Sequence, residues 1–468
     1  MTRRSHGWSR GVGLTLVASA LLACGDEPSR ISFLLITVDT LRADALGSYG
    51  ASPSVTPNLD RLASQSTVFE NASAPMPMTR PSHFSLLTSL YPREHGVMNN
   101  RIRLPDERLT LAEILAEAGY RTGAFVAVGL LSEESGAGQG FEVIRAPKRQ
   151  RPANEVVDEA LAWIESLDGN EPFFLWVHVF DPHQPYQQID PELGDVDPEM
   201  MRKLPSIAWS DLYALADEHD GDIPQDVLDH ARDLYRAEVA WVDRQLGRLL
   251  EGIASVRNLD DTFTVLTADH GECFEDGVFF DHSDCLLDGA LRIPLMVRHP
   301  ASFVAGRRVA TQVSSVDVAP TILEAAGLSL PDEFSGSSLQ SLTRESNRFV
   351  LVQHPFYQAK VVEGLLTKRR AIKSVGGVPS SEIIVDVEKV GVVGPGWKFL
   401  RTGSDEELYR MSPERNETRN LASSQRDEAE RLGRELDRLL QQHPLEIIQK
   451  YEINDELRST LEALGYIQ

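Results

Sequence analysis

Three apolar segments of this chain each run into side chains of the kind that bind metals. Ile31–Val38 ends at Asp39, Phe173–Val179 is followed by Asp181-Pro182-His183, and Phe263–Thr267 by Ala268-Asp269-His270. Continuous apolar runs of strand length suit strands covered on both faces, the usual condition of a parallel sheet. Helical patterns fall between the runs: Pro57–Ser66, opened by proline, Leu111–Ala118, capped by Thr110 and stopped by Gly119, Ala153–Leu167, Ile223–Ile253 and Val316–Ala326. A further strand is expected at Thr122–Val128. This alternation predicts an α/β domain with a largely parallel sheet. Parallel strands present their carboxyl ends along one edge, where such sheets bind ligands. One polar residue at a strand tip means little, because loops are polar. Three tips carrying Asp, Asp-x-His and Asp-His predict a shared crevice, and carboxylates with imidazole suit a divalent cation.

The pattern changes past about residue 340. Phe349–Gln353, Glu382–Val387 and Lys398–Arg401 read as strands around turns such as Gly394-Pro395-Gly396, and a helix carrying Leu432, Leu436, Leu439 and Leu440 follows. No helix separates neighbouring strands here. Residues 341–468 therefore predict a small antiparallel sheet with a C-terminal helix, docked on a larger α/β domain of residues 31–340.

Ahead of both lies a leader. Arg3, Arg4 and Arg10 precede the uncharged apolar stretch Gly11–Ala23, the arrangement of a secretion signal over residues 1–23 and too short to span a bilayer. It ends in Leu21-Leu22-Ala23-Cys24, similar to the lipobox at which bacterial lipoproteins are cleaved and acylated, with residues 24–30 as a tether. The alternative is a plain signal cut near Ala23, with Cys24 incidental. The expectation is an exported bacterial lipoprotein, periplasmic or on the cell surface, that meets membrane only through a lipid on Cys24. Cys273 and Cys285 remain, either as a disulfide closing the loop Glu272–Leu286 or as two buried free thiols. With Lys+Arg 46 against Asp+Glu 70, the net charge of −24 makes nucleic acid a poor partner, since phosphate backbones are bound by clustered cations.

In Ala74–Thr88, Pro81 fits the first turn of a helix whose apolar residues continue through Leu86, Leu87 and Leu90. Thr79 falls just ahead of that helix, where free N–H groups and the dipole favour an anion. Taken alone, Thr79 is most simply a helix cap.

The spaced blocks Thr37–Asp44, Thr56–Ala63, Thr79–His83, Tyr91–Val97, Phe180–Tyr186 and Thr267–Glu272, leading to His282 and Arg292-Ile293-Pro294, resemble the sulfatases, a branch of the alkaline phosphatase superfamily. Val316–Thr321 and Leu461–Ile467 extend the likeness. The resemblance implies a three-layer α/β sandwich around a mostly parallel sheet, and a hydrolase of sulfate or phosphate esters. It implies that Asp39, Asp269 and His270 bind a divalent metal, with the Thr79 oxygen completing the shell. His183 and His282 would then contact the anion and the leaving group. One ion is expected, because a second would need Asp181, His183 and His282, whose spacing differs from that of two-metal relatives. Thr40 stands where many sulfatases have a second aspartate, so calcium, manganese and zinc stay open.

Two positions depart from the family. Its motif is Cys/Ser-x-Pro-x-Arg, in which the first residue is oxidised to formylglycine; here the text is Thr79-Arg80-Pro81-Ser82-His83. Threonine cannot yield the aldehyde, and His83 would orient Thr79 in place of the arginine. A formylglycine hydrate expels sulfate by breaking its own C–O bond. A threonine ester is released only when water attacks the sulfur or phosphorus, and phosphorus accepts that second attack more readily. The expectation therefore leans to phosphate mono- or diesters or phosphonates, on a small-molecule, lipid or glycan substrate. The alternatives are a transferase that hands the group to a lipid or glycan alcohol, and a non-catalytic metal-binding lipoprotein. Of the remaining residues, His95 and His178 are expected to be structural, Arg42 to pair with Asp44, Met76 and Met78 to line the cleft, and Glu272 to back His270.

Overall fold

The apolar runs form the centre of a nine-stranded sheet. The computed structural model describes residues 30–169, 171–218, 223–274, 280, 282, 285–343, 347–354, 388–411 and 417–446. The leader 1–23, Cys24, most of the tether, the strand expected at Glu382–Val387 and the closing Leu461–Ile467 lie outside the described residues.

The strands are β1 (Ser32–Val38), β2 (Thr67–Ser73), β3 (Arg121–Val126), β4 (Val143–Arg145), β5 (Phe173–Val179), a separate short pair β6 (Tyr186–Gln187) and β7 (Ser206–Ile207), then β8 (Thr262–Ala268), β9 (Arg292–Ile293), β10 (Leu295–Arg298) and β11 (Arg308–Ser314). The order across the large sheet is β11-β2-β10-β8-β1-β5-β3-β4, with β9 beside β2. β1, β5 and β8 are buried along their whole length, which is why their sequences carry no polar alternation. β1 pairs in parallel with β5 and β8, in a register that sets Val38 opposite both Val179 and Ala268. Asp39 and Asp269 therefore leave neighbouring strands side by side.

The helices Pro57–Ser64, Ala153–Ser166 and Gln225–Val256 pack together as one layer, and Thr79–Thr88, Leu111–Glu117 and Val318–Ala325 as the other. The architecture is the expected three-layer sandwich around a mostly parallel sheet, with two strands that the sequence did not announce. β10 runs antiparallel to both neighbours, β8 and β2. β2 itself gives no continuous apolar signal, because Glu70 and Asn71 interrupt it where the strand approaches the sheet edge and is only half-buried. Two reversals across β10 return β2 to the direction of β8, so its carboxyl end lies on the same edge as Asp39 and Asp269 and feeds directly towards Thr79.

The C-terminal part is an antiparallel sheet of β12 (Val350–Gln353), β13 (Lys389–Gly394), β14 (Trp397–Thr402) and β15 (Asp405–Arg410). Alternate side chains take opposite faces. Val390, Val392, Phe399 and Leu408 meet Leu432, Leu436 and Leu439 of the helix Arg426–Gln442, together with Tyr91 and Val316. Val350, Val352, Val393 and Leu400 meet Leu286 and Leu291. The small sheet is thus packed on both faces and docks on the large domain close to the segment after His282.

Candidate active site

Asp39, Asp269 and His270 offer ligand atoms that all lie within 4.8 Å of one another, the one such group among the described residues. All three side chains are buried. His270 Nδ1 lies 3.0 Å from the Gly271 carbonyl, to which it donates, so Nε2 carries the lone pair and lies 3.4 Å from Asp269 Oδ2 and 4.0 Å from Asp39 Oδ1. Both Asp39 oxygens, Asp269 Oδ2 and His270 Nε2 are buried without a hydrogen-bond partner. Burial pushes the Asp39 and Asp269 carboxyls above their ordinary range, with the charge of Asp39 adding to the effect on Asp269, and burial likewise depresses His270. Converging buried oxygens and an imidazole lone pair that nothing satisfies are costly in an apo protein and are the donor set of a divalent cation. The residues fit that group.

The turn that carries Asp39 is held under strain. Thr40 has φ 50°, a left-handed conformation that a β-branched residue adopts at a cost of about 1–3 kcal/mol. Its N–H donates to Asp269 Oδ1 at 3.3 Å, and its carbonyl accepts from the Tyr235 hydroxyl at 2.9 Å. Gly271 is needed for a different reason: a Cβ there would stand 2.0 Å from the Gly289 carbonyl oxygen.

Thr79 is the first residue of its helix, with Met78 as the flanking residue, and not a cap ahead of it. Its Oγ1 is buried and makes no hydrogen bond, whereas a capping threonine spends that oxygen on a backbone N–H. The first turn is tied to the metal group, since Ser82 Oγ donates to the Asp269 carbonyl at 2.5 Å and His83 Nδ1 lies 3.5 Å from Asp269 Oδ2. His83 Nδ1 donates to the Thr79 carbonyl at 2.8 Å, and its Nε2 meets Thr37 Oγ1 at 3.1 Å, which in turn accepts from Trp176 Nε1 at 2.9 Å. Burial, helped by nearby His178, lowers the ring to about 3, so it is a neutral bracket. Both nitrogens serve the fold, which makes His83 a positioning residue for the Thr79 turn.

His183 and His282 come together at 5.4 Å between ring centroids, and His282 stacks on His270 at 4.4 Å. His183 Nδ1 lies 2.7 Å from the Gln184 carbonyl and its ring stacks on Phe180 at 4.3 Å. Glu272, expected behind His270, turns the other way. Its Oε1 lies 3.1 Å from His282 Nδ1 and its Oε2 accepts from the Tyr186 hydroxyl at 2.9 Å. His270 Nδ1 had already found a carbonyl, so it leaves nothing for the carboxylate. Cys273 and Cys285 are joined as a disulfide across this loop.

Other placements differ from expectation. Asp181 Oδ2 accepts from the Ala153 amide at the start of a helix and stands outside the metal group. His178 is buried in β5 but is more than a core residue: Nδ1 accepts from the Ala127 amide at 3.4 Å and Nε2 faces Asp39 Oδ2 at 3.6 Å. Met76 and Met78 pack with Met98 in a closed cluster instead of lining a cleft. His95 is structural, held by Ser85 and the Pro81 carbonyl, and Arg42 makes a two-pronged pair with Asp44. Sequence reasoning missed Asn100, whose Oδ1 accepts from the Arg80 amide at the start of the Thr79 helix and whose Nδ2 is buried without a partner. No local spacing rule connects an asparagine to a helix start that far back in the chain.

The sulfatase family model matches residues 32–328. The chain is 24% identical over 425 residues to the N-acetylglucosamine-6-O-sulfatase of Bacteroides thetaiotaomicron, covering 72% of this chain and 75% of that one. It is 25% identical over 383 residues to the arylsulfatase of Clostridium perfringens, covering 68% and 79%. The phosphonate monoester hydrolase of Agrobacterium radiobacter has the same fold, with a TM-score of 0.68 at 21% identity over 89% of this chain and 96% of that one.

Proposed function

The chain belongs to the sulfatase family of the alkaline phosphatase superfamily and is an ester-bond hydrolase, and we propose that it cleaves phosphate or phosphonate esters through a covalent intermediate on Thr79. The observation that carries this reading is the Thr79 hydroxyl, buried with no hydrogen bond on a turn tied to Asp269. Asp39, Asp269 and His270 would hold a divalent cation, whose charge would favour the ionised Thr79 hydroxyl and polarise the substrate's non-bridging oxygens. Thr79 Oγ forms the new bond to phosphorus as the bond to the leaving oxygen breaks. The proton that Thr79 gives up passes to Nε2 of His183 or His282, whose Nδ1 protons are held by the Gln184 carbonyl and Glu272, and that ring then donates it to the departing oxygen. Water then attacks phosphorus and Thr79 Oγ leaves, which restores the hydroxyl. His83 and Asn100 hold the turn from which Thr79 projects.

The preference for phosphorus over sulfur follows from that last step, which a threonine ester cannot avoid. The Cys273–Cys285 disulfide supports the further reading of an exported chain, since such bonds persist in oxidising compartments. A panel of 4-nitrophenyl phosphate, phosphate diester, phosphonate and sulfate esters tests the proposal. Wild type is expected to turn over a phosphorus ester fastest, and Thr79→Ala to lose about 10³-fold or more in kcat. Mass spectrometry of enzyme quenched during turnover should add one phosphoryl or phosphonyl group to Thr79. Faster sulfate turnover, or an alanine variant as active as wild type, would overturn it.

A further inference from the structure

We infer that Glu272 is a positioning residue that fixes His282 for its contact with the substrate, an inference that rests on the reading of His282 given above. Glu272 is fully buried, and its carboxylate is anchored from two sides by Tyr186 at 2.9 Å and His282 at 3.1 Å. A carboxylate has no hydrogen to give, so His282 Nδ1 is the donor. With Nδ1 committed to Glu272, the ring can meet a substrate oxygen only through Nε2. Stacking on His270 fixes the plane of the ring, and the Glu272 contact fixes its rotation within that plane.

The backbone of Glu272 is held as firmly as its side chain. Its carbonyl accepts from Arg42 Nη1 at 2.9 Å, the Arg42 guanidinium covers the Phe274 ring at 4.5 Å, and the next residue is Cys273 of the disulfide. Tyr186, buried, comes from the short strand β6 after His183. Tyr186 and Glu272 thus form a chain of hydrogen bonds that ends on His282 Nδ1. Pre-set orientation of this kind is what lowers the entropic cost of meeting a transition state.

The test is a double-mutant cycle between Glu272 and His282, read with 4-nitrophenyl phosphate, bis(4-nitrophenyl) phosphate and 4-nitrophenyl sulfate, alongside bound metal and thermal midpoint. Glu272→Ala is expected to lower kcat by about 10–100-fold with little change in KM or bound metal. Glu272→Gln, whose amide oxygen still accepts from Nδ1, should recover most of the loss. In a His282→Ala background, Glu272→Ala should cost less than about 2-fold. Tyr186→Phe removes one anchor and should give a smaller loss that also vanishes without His282; it carries the test if Glu272→Ala does not fold. A loss that persists undiminished in the His282→Ala background, or that tracks lost metal, overturns the inference. Wild-type activity in His282→Ala alone would instead remove the underlying role of His282, and the inference with it.

Discussion

A threonine that opens a helix ordinarily gives its oxygen to an amide two or three residues on. Thr79 does not, because Met78 holds the capping position and the amides within the threonine's reach are missing or spent: Pro81 has none and Ser82 bonds to the Met78 carbonyl. Its identity was legible because a motif surrounds it; its idle oxygen was not, because hydrogen bonding depends on where the turn points. Glu272 is the reverse case, where adjacency to His270 suggested a pairing that the loop geometry denies. Another buried acid lends itself to measurement. Glu238 is buried in the long helix Gln225–Val256, and its Oε1 accepts from the Gln187 amide at 2.8 Å. Burial first, and then the charge of Asp181, raise its carboxyl well above the ordinary range. A raised folded-state value means that the native state holds the proton more tightly. The stability it contributes is therefore complete below the unfolded value near 4.3 and lost as pH rises through the folded one. Glu238→Gln keeps the acceptor without the charge. Its thermal midpoint should match wild type near pH 4 and exceed it by about 2 °C or more at pH 8.5. A constant difference across that range would refute this account.

At the level of elements, the strands that build the site were readable for the same reason that they build it. β1, β5 and β8 lie in the middle of the sheet, so every residue is covered and the sequence runs apolar up to the tip. β2 delivers Thr79 yet escaped notice, because Glu70 and Asn71 sit where cover is partial. β10 escaped as a short antiparallel insertion with no turn signature to announce its direction. The strand tips also predict the response to metal removal. Without a cation, both Asp39 oxygens and Asp269 Oδ2 stay buried beside one another with no hydrogen bond. A ligand that binds only the native state adds about 4 kcal/mol when present at 1,000 times its dissociation constant. Chelation should lower the wild-type thermal midpoint by about 5 °C, with recovery on adding back the ion that binds. Asp39→Asn should show little response to chelator. An unchanged midpoint in chelated wild type, with metal shown to be removed, would count against the site.

Across the whole molecule, the small sheet braces the chain that follows the Cys273–Cys285 disulfide. Lys398 of β14 is fully buried, donates to the Leu286 carbonyl at 2.6 Å and pairs with Glu417, which also accepts from the Asp288 amide at 2.5 Å. Breaking a buried pair by removing one partner costs about 3–5 kcal/mol, because the other charge is left without compensation. Lys398→Met should therefore lower the unfolding free energy by roughly that amount, and adding Glu417→Gln should recover most of it. Denaturant or thermal unfolding of the single and double variants checks both. The sequence alone determined the layered α/β class, the edge of the sheet at which chemistry collects and most of the residue types gathered there, since burial on two faces and motif spacing are local properties. Only the tertiary structure decided which partner each of those residues takes. Glu272 to His282, His178 behind Asp39, and Lys398 at the Leu286 carbonyl all depend on distances between segments far apart in the chain, and no local pattern encodes those distances.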